Sequence, residues 1–191
     1  MTSVSVITPA IPPRLDRLGQ AMASVRSQRH AAVEHLVAVD NGRHGSAAMR
    51  NKLLRAAEGE FIAPLDDDDY LLPNHLAELT QRARWVDAPD VVYSYCKVTG
   101  RGDGWVPNRE FDADALRVGN YIPVTALVKR ELLLDLAGWR DSAVVPHGWE
   151  DWDLWLRALD AGAKFACVPE VTWVYCFGPG SKTAVGERAA Y

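Results

Sequence analysis

Short apolar segments near the N-terminus alternate with segments of helical periodicity, and each apolar segment stops at polar or acidic residues. The pattern predicts strands at 3–8, 35–40 and 60–65 and helices at 12–25 and 46–58. Strand–helix–strand units of this kind form parallel sheets whose ligands bind beyond the carboxyl ends of the strands. We therefore expect Thr8, Asp40 and the aspartates after residue 65 to be neighbours.

The remainder of the chain continues the same alternation. The sequence predicts a helix opened by Pro73, strands at 90–96, 122–128, 164–168 and 171–176, helices at 130–137 and 149–161, and a flexible excursion at 99–109. With 191 residues, 48% of them hydrophobic, the chain fits one compact domain. We expect an α/β domain at 1–177 with a mixed, mainly parallel sheet flanked by helices, and a loop or tail at 178–191.

Composition excludes several classes of protein. A net charge of −4 with both signs interspersed argues against a broad nucleic-acid-binding face. No apolar run is long enough to cross a membrane, and the start of the chain does not have the pattern of a secretory signal. Three cysteines without metal-ligand spacing are typical of small buried hydrophobic residues in a reducing compartment, so we expect a cytoplasmic protein without disulfides.

Four consecutive aspartates, at 66–69, directly follow the third predicted strand. Like charges in one turn repel one another unless a cation compensates them, and carboxylate oxygens suit Mg²⁺ or Mn²⁺. A cation held there would neutralise a diphosphate. The alternative is a solvated acidic turn that caps the helix after Pro73.

Five segments together resemble the inverting family 2 glycosyltransferases of the GT-A (Rossmann-like) fold. They are VSVITP at 4–9, LVAVDNG at 36–42, AMRN at 48–51, LDDDD at 65–69 and GWEDWDLWLR at 148–157. Each string alone is common, whereas five in the family's order and spacing form a specific pattern. The resemblance runs from about residue 3 to about residue 176 and implies transfer of a hexosyl group from a nucleotide-diphosphate sugar.

On the donor side, the resemblance places Thr8 and Asp40 at the nucleotide and Arg50 near the diphosphate. Asp66 and Asp68 match the DxD motif, with Asp66 toward ribose or metal and Asp68 on the Mn²⁺ or Mg²⁺ ion, while the aspartates at 67 and 69 support them on the ribose side. The alternative is that these residues have no role in binding. Thr8 and Asp40 would then be ordinary residues at strand ends, where turns begin, and Arg50 would be an ordinary arginine on the surface of a helix.

On the acceptor side, the resemblance makes Asp151 the general base and Glu150 its acceptor-positioning neighbour. A helix N-terminus lowers the pKa of an acid, whereas the adjacent Glu150 and Asp153 raise it, and a base of modest pKa can serve this reaction. Trp149 is our candidate platform for the acceptor, because an indole suits the apolar face of a sugar. The spacing of Trp152 and Trp155 is typical of core packing.

Two departures from the family pattern stand out. Only residues 42–47 separate the Asp40 segment from the AMRN segment, where the family has a further helix and strand, so we expect a smaller nucleotide half. This leaves open whether a second copy of the chain completes the pocket in a homo-oligomer. The segment 174–178 has no histidine to complete the metal site. Diphosphate oxygens and water would then fill the remaining coordination positions of the ion. Alternatively, residues 181–183 would fold over the phosphates.

The sequence therefore predicts a metal-dependent inverting glycosyltransferase with an unidentified hydroxyl acceptor. Two alternatives stay open. A sugar-phosphate nucleotidyltransferase shares the acidic turn, although residues 10–14 are a poor triphosphate loop. A non-catalytic nucleotide- or glycan-binding module would keep the fold without turnover.

Overall fold

A computed structural model describes residues 2–30, 33–42, 44–100, 108–141, 143–145 and 149–178. The strands are β1 Val4–Ala10, β2 Val33–Val39, β3 Phe61–Pro64, β4 Tyr70–Leu71, β5 Val91–Thr99, β6 Leu127–Lys129 and β7 Phe165–Cys176. The helices are α1 Leu15–Arg26, α2 Gly45–Ala56, α3 His75–Ala83, α4 Ala113–Val118, α5 Arg130–Asp135 and α6 Glu150–Asp160, and a short 3-10 turn, Pro12–Arg14, precedes α1.

The seven strands among these residues form one mixed sheet in the order β2-β1-β3-β6-β5-β7-β4. β1 pairs in parallel with β2 and β3, and β5 pairs in parallel with β7. The antiparallel ladders of β6 and β4 are short, because each joins only two residue pairs. The expectation of a mixed, mainly parallel sheet flanked by helices is confirmed.

Alternation along the strands builds a hydrophobic core on each face of the sheet. Val4 and Val6 of β1 belong to the cluster that includes α1 and α3, whereas Ile7 belongs to the cluster that includes α2, α5 and α6. The helices therefore cover both faces of the sheet.

The second half of the sheet differs from the sequence prediction. Of the strand expected at 122–128, only its end pairs as β6, because Pro123 has no N–H to donate and the carbonyl of Ile122 accepts the indole of Trp155. The two strands expected at 164–168 and 171–176 are one strand, β7, whose pairing with β5 shifts register around Pro169 and Glu170. The interruption is a bulge, since proline cannot donate to the ladder.

The sequence did not predict β4 or α4. β4 directly follows the acidic turn and pairs with β7, so the aspartates lie in a connection anchored on both sides. α4 is a six-residue helix whose N-cap, Asp112, accepts the backbone N–H of Ala115. Both elements are shorter than the window over which periodicity becomes visible.

Three further expectations can be compared with the structure. All three cysteines are free, but only Cys96 is fully buried, since Cys167 and Cys176 are partly exposed. None of the helices in the described ranges has the length and hydropathy of a membrane span. The excursion expected at 99–109 begins later than predicted, because Thr99 still belongs to β5, and its residues 101–107 lie outside the described residues. The tail beyond 178 and the covering segment at 181–183 also lie outside them.

Candidate active site

The ends of β1, β2 and β3 meet at one edge of the sheet, as the parallel pairing requires. Asp40 follows β2 and its backbone N–H donates to the carbonyl of Ala10, at the end of β1, over 2.7 Å. The next residue, Ile11, donates its backbone N–H to Asp67 Oδ2 over 2.9 Å. The predicted neighbourhood of the Asp40 segment and the acidic turn is therefore present.

Within the acidic turn, three carboxylates converge. One carboxylate oxygen from each of Asp66, Asp68 and Asp69 lies within 4.8 Å of the others. Asp67 instead accepts the backbone N–H of Ile11 and, at 3.2 Å, the Arg14 guanidinium. Asp69 is 3% exposed and accepts the backbone N–H of Cys176 over 2.7 Å, which ties the turn to the end of β7.

The charges of this cluster are only partly compensated. Burial and the neighbouring Asp66 raise the pKa of Asp68 to about 6, although Arg14 pairs with it at 2.9 Å. Burial and Asp66 also raise the pKa of Asp69 well above its ordinary value. Three converging hard oxygen donors with excess negative charge fit a divalent cation such as Mg²⁺ or Mn²⁺.

Arg50 joins the acidic turn to the start of α6. Its side chain is almost completely buried, with Nη2 at 2.5 Å from Asp66 Oδ1 and Nη1 at 3.1 Å from Glu150 Oε1. Burial lowers the pKa of Arg50, but Asp66 and Glu150 outweigh this effect and hold the pKa above its ordinary value. The helix-surface alternative for Arg50 is therefore wrong.

Glu150 and Asp151 open α6 on the other side of Arg50. Glu150 is 6% exposed and also accepts the Ser46 hydroxyl over 2.6 Å. Asp151 is partly buried; its Oδ1 accepts the backbone N–H of Trp152 at 2.9 Å, and its Oδ2 accepts the side-chain amide of Asn120 at 3.1 Å. Asp151 also interacts electrostatically with Arg50, so the base candidate and the acidic turn are placed around one guanidinium.

The surroundings of Asp151 raise its pKa to about 6. Burial raises this pKa the most and the charge of Glu150 raises it next, whereas the charge of Arg50 lowers it. The charge of Asp153 is compensated, because it pairs with Arg157 at 2.8 Å and with Arg140 at 3.2 Å. A carboxylate that titrates near 6 can accept a proton at neutral pH.

Thr8 and Asp40, which are predicted to contact the nucleotide, form hydrogen bonds within the protein. Thr8 is fully buried two residues before the end of β1, not at the strand end, and its hydroxyl lies 2.9 Å from His35 Nε2. Asp40 accepts the backbone N–H groups of His44 and Gly45, the latter over 2.8 Å, and so caps the start of α2. Contact of either side chain with a nucleotide stays a prediction.

Trp149 directly precedes α6, which begins one residue later than predicted. Its indole is 42% exposed and meets Trp152 edge-on, with 5.6 Å between ring centroids. Contact of this indole with an acceptor stays a prediction. His147 and Gly148 lie outside the described residues.

Sequence reasoning missed Arg14 and Asn120. Arg14 was considered only as part of a poor triphosphate loop, yet it pairs with both Asp67 and Asp68. Asn120 follows an unpredicted helix, and nothing in its local sequence indicates that it reaches Asp151.

Solved structures of similar fold include complexes with nucleotide sugars. The chain superposes on S. aureus TarS 1–349 in complex with UDP-GlcNAc with a TM-score of 0.74 at 18% identity, covering 99% of this chain and 61% of that one. It superposes on the mannosyltransferase PcManGT from Pyrobaculum calidifontis, in complex with GDP-Man and Mn²⁺, with a TM-score of 0.69 at 16% identity, covering 96% and 59%. The fold is that of the GT-A glycosyltransferases.

Sequence comparison identifies the glycosyltransferase family to which the chain belongs. The profile of glycosyl transferase family 2 matches residues 35–138, more than half of the chain, and the chain belongs to that family. It is 29% identical over 156 residues to the uncharacterized glycosyltransferase YwdF of Bacillus subtilis (strain 168), covering 76% of this chain and 56% of YwdF. It is 25% identical over 140 residues to the Escherichia coli glucosyltransferase WfaP, covering 73% and 55%. The chain thus spans little more than half the length of these relatives.

Proposed function

We propose that this protein is a divalent-metal-dependent, inverting glycosyltransferase that moves a hexosyl group from a nucleoside-diphosphate sugar to an acceptor hydroxyl. The observation that carries the proposal is the position of Arg50, whose guanidinium pairs with Asp66 on one side and Glu150 on the other. We infer that the acidic turn and the acid at 151 border a common cleft, because Arg50 joins the acidic turn to the first turn of α6. WfaP acts on UDP-Glc, and TarS and PcManGT bind UDP-GlcNAc and GDP-Man, which supports a nucleotide-sugar donor.

The donor side of the cleft is the carboxyl edge of β1, β2 and β3. Asp66 and Asp68, joined by Asp69, would hold Mn²⁺ or Mg²⁺, and a bound cation would neutralise the departing diphosphate. Asp40 and the buried Thr8 would form the nucleotide end of this edge. Asp67 would act indirectly, by holding the loop after β1 against the acidic turn.

The acceptor side is the start of α6, where Asp151 would act as the base, Glu150 would help position the acceptor and Trp149 would contact its apolar face. The acceptor oxygen forms a bond to the anomeric carbon while the bond from that carbon to the diphosphate oxygen breaks. The acceptor proton passes to Asp151, and the electron pair of the broken bond leaves with the nucleoside diphosphate. Because attack and departure occur on opposite faces of the sugar, the anomeric configuration inverts.

The test is release of nucleoside diphosphate by the full 191-residue chain from UDP-Glc, UDP-GlcNAc and GDP-Man, with Mn²⁺ or with EDTA. We expect metal-dependent release that rises as the pH passes through about 6, because Asp151 must be ionised to accept a proton. Release of pyrophosphate from a nucleoside triphosphate and a sugar phosphate would indicate a nucleotidyltransferase instead. Donor binding without any turnover would indicate a non-catalytic module.

Two variants separate the proposed roles. Asp151→Asn should lower turnover by about 10²- to 10⁴-fold, the usual contribution of a general base, with donor affinity near that of the wild type. Asp160→Asn is the control, because Asp160 lies at the far end of α6 in an exposed pair with Arg117. Asp68→Ala should weaken metal-dependent donor binding in calorimetry, and an unchanged, metal-independent affinity would refute the metal site.

A further inference from the structure

Asp151 receives a hydrogen bond from a residue that neither the sequence motifs nor the family match singles out. Asn120 lies just after α4 and donates from its side-chain nitrogen to Asp151 Oδ2 at 3.1 Å. Its side-chain oxygen accepts the backbone N–H of Ile122 at 3.2 Å. Because the oxygen is occupied by a donor, the nitrogen of the amide must point at Asp151.

The segment that carries Asn120 is held against α6 from both sides. The indole of Trp152 donates to the carbonyl of Leu116 over 2.7 Å, and the indole of Trp155 donates to the carbonyl of Ile122 over 3.0 Å. The two tryptophans expected only to pack in the core therefore also anchor the backbone before and after Asn120. An amide fixed in this way can orient a neighbouring carboxylate with little loss of entropy on binding substrate.

The two oxygens of Asp151 are consequently inequivalent. Oδ1 is bound by the backbone N–H of Trp152, in its own helix, whereas Oδ2 is bound across 31 positions of sequence by Asn120. We propose that Asn120 is a positioning residue that fixes the rotation of the Asp151 carboxylate, so that a free lone pair of Oδ2 meets the acceptor hydroxyl. This inference rests on the proposed function, in which Asp151 is the base.

The hydrogen bond also has an electrostatic consequence. The charged groups that act on Asp151 are Glu150, on the same helix, and Arg50, from α2. A hydrogen bond donated to the ionised carboxylate favours that form, so loss of the Asn120 amide should raise the pKa of Asp151. Replacement by aspartate should raise it further, because a second carboxylate would then face the first.

The experiment compares Asn120→Ala and Asn120→Asp with the wild type, with UDP-Glc, UDP-GlcNAc or GDP-Man as donor and water as acceptor. We expect Asn120→Ala to lower kcat by about 10-fold or more, with KM and the calorimetric affinity for the donor unchanged. The acid limb of the kcat profile should move to higher pH in both variants, and further in Asn120→Asp. The control is Arg117→Ala, which breaks an exposed contact of 2.7 Å between α4 and α6 away from Asp151 and should leave the kinetics unchanged.

A double-variant cycle identifies the residue through which Asn120 acts. In an Asp151→Asn background, Asn120→Ala should cause no further loss of turnover, because the carboxylate that it positions is gone. Additive losses, or an Asn120→Ala enzyme with wild-type kcat and pH profile, would overturn the inference while the proposed function stands. A fully active Asp151→Asn enzyme would instead overturn the proposed base.

Discussion

At the scale of single residues, the acidic turn contains four identical side chains in four different environments. Asp67 holds the loop after β1, Asp69 holds the end of β7, and Asp66 pairs with Arg50. Asp68 pairs only partly with Arg14 and keeps a raised pKa of about 6. The turn therefore combines two anchors with a cluster whose negative charge favours a cation.

The raised pKa of Asp68 predicts the sign of a pH effect on stability. Its pKa rises from 3.8 in the unfolded chain to about 6 in the fold, so the native state binds more protons between these values. The contribution of Asp68 to stability is then greatest at low pH and declines as pH rises through this window. Asp68→Asn should therefore gain stability relative to the wild type between about pH 4 and pH 6 and hold that gain above it. Urea unfolding in EDTA measures the difference.

The matched control for this titration is Asp90→Asn. Burial raises the pKa of Asp90, but its hydrogen bond from Lys129, at 2.7 Å, and its other contacts outweigh burial and lower it. This variant should lose stability relative to the wild type at neutral pH, and the loss should shrink only as the pH falls below about 4. A constant stability difference for Asp68→Asn across the range would contradict the charge imbalance in the acidic turn.

At the scale of elements, the side-chain amide of Asn51 joins α2 to the segment that follows α5. The Asn51 amide donates to the carbonyl of Trp139 over 2.7 Å and accepts its backbone N–H over 2.9 Å. Gly138 precedes Trp139 with a positive φ of 68°, and a Cβ there would overlap the Asn51 side-chain oxygen. This contact orients α2, and with it Arg50, against the segment that leads to α6.

Gly138→Ala should destabilise the protein by about 2 kcal/mol or more, because it adds backbone strain and displaces the Asn51 amide. Gly162→Ala is the control: Gly162 has a similar positive φ of 81°, and a Cβ there would meet open space. That variant should lose only about 1 kcal/mol from the left-handed backbone. Equal losses in chemical denaturation would show that the Asn51 contact contributes nothing.

At the scale of the whole molecule, Arg50 is the one described side chain that pairs with both the acidic turn and the first turn of α6. It joins segments that are 16 and 100 positions away in sequence. The nearby edge strand β2 is only partly buried along its length, in line with the smaller nucleotide half that the short 42–47 connection predicts. Completion of that half by a second chain stays a prediction.

Arg50→Met should cost about 3–5 kcal/mol of unfolding free energy, because it leaves Glu150 buried without its cation. Arg117→Met, which removes an exposed pair, should cost at most about 1 kcal/mol. Adding Glu150→Gln to Arg50→Met should recover part of the loss, since the uncompensated charge is then gone. Chemical denaturation of Arg50→Met, Glu150→Gln, the double variant and the Arg117→Met control measures the coupling. A double variant no more stable than Arg50→Met would contradict this account.

Much of the architecture follows from local patterns. Apolar periodicity located β1, α1, β2, α2 and β3, and parallel pairing then brought Asp40 and the acidic turn to one edge. The short elements β4 and α4, and the continuity of β7 across Pro169, were not accessible in this way. Their presence depends on pairing with distant strands and packing against distant helices, which outweigh weak local preferences.

The sequence by itself determined which residue types lie at the carboxyl edge, because strand ends and turns are encoded within a few neighbouring positions. Only the tertiary structure decided how those residues are used. It buried Arg50 between two acids, tied Asp69 to Cys176 across 107 positions and brought Asn120 to Asp151 across 31. The physical reason is that burial and hydrogen-bond partners, which set charge and orientation, come from segments that meet only when the chain has folded.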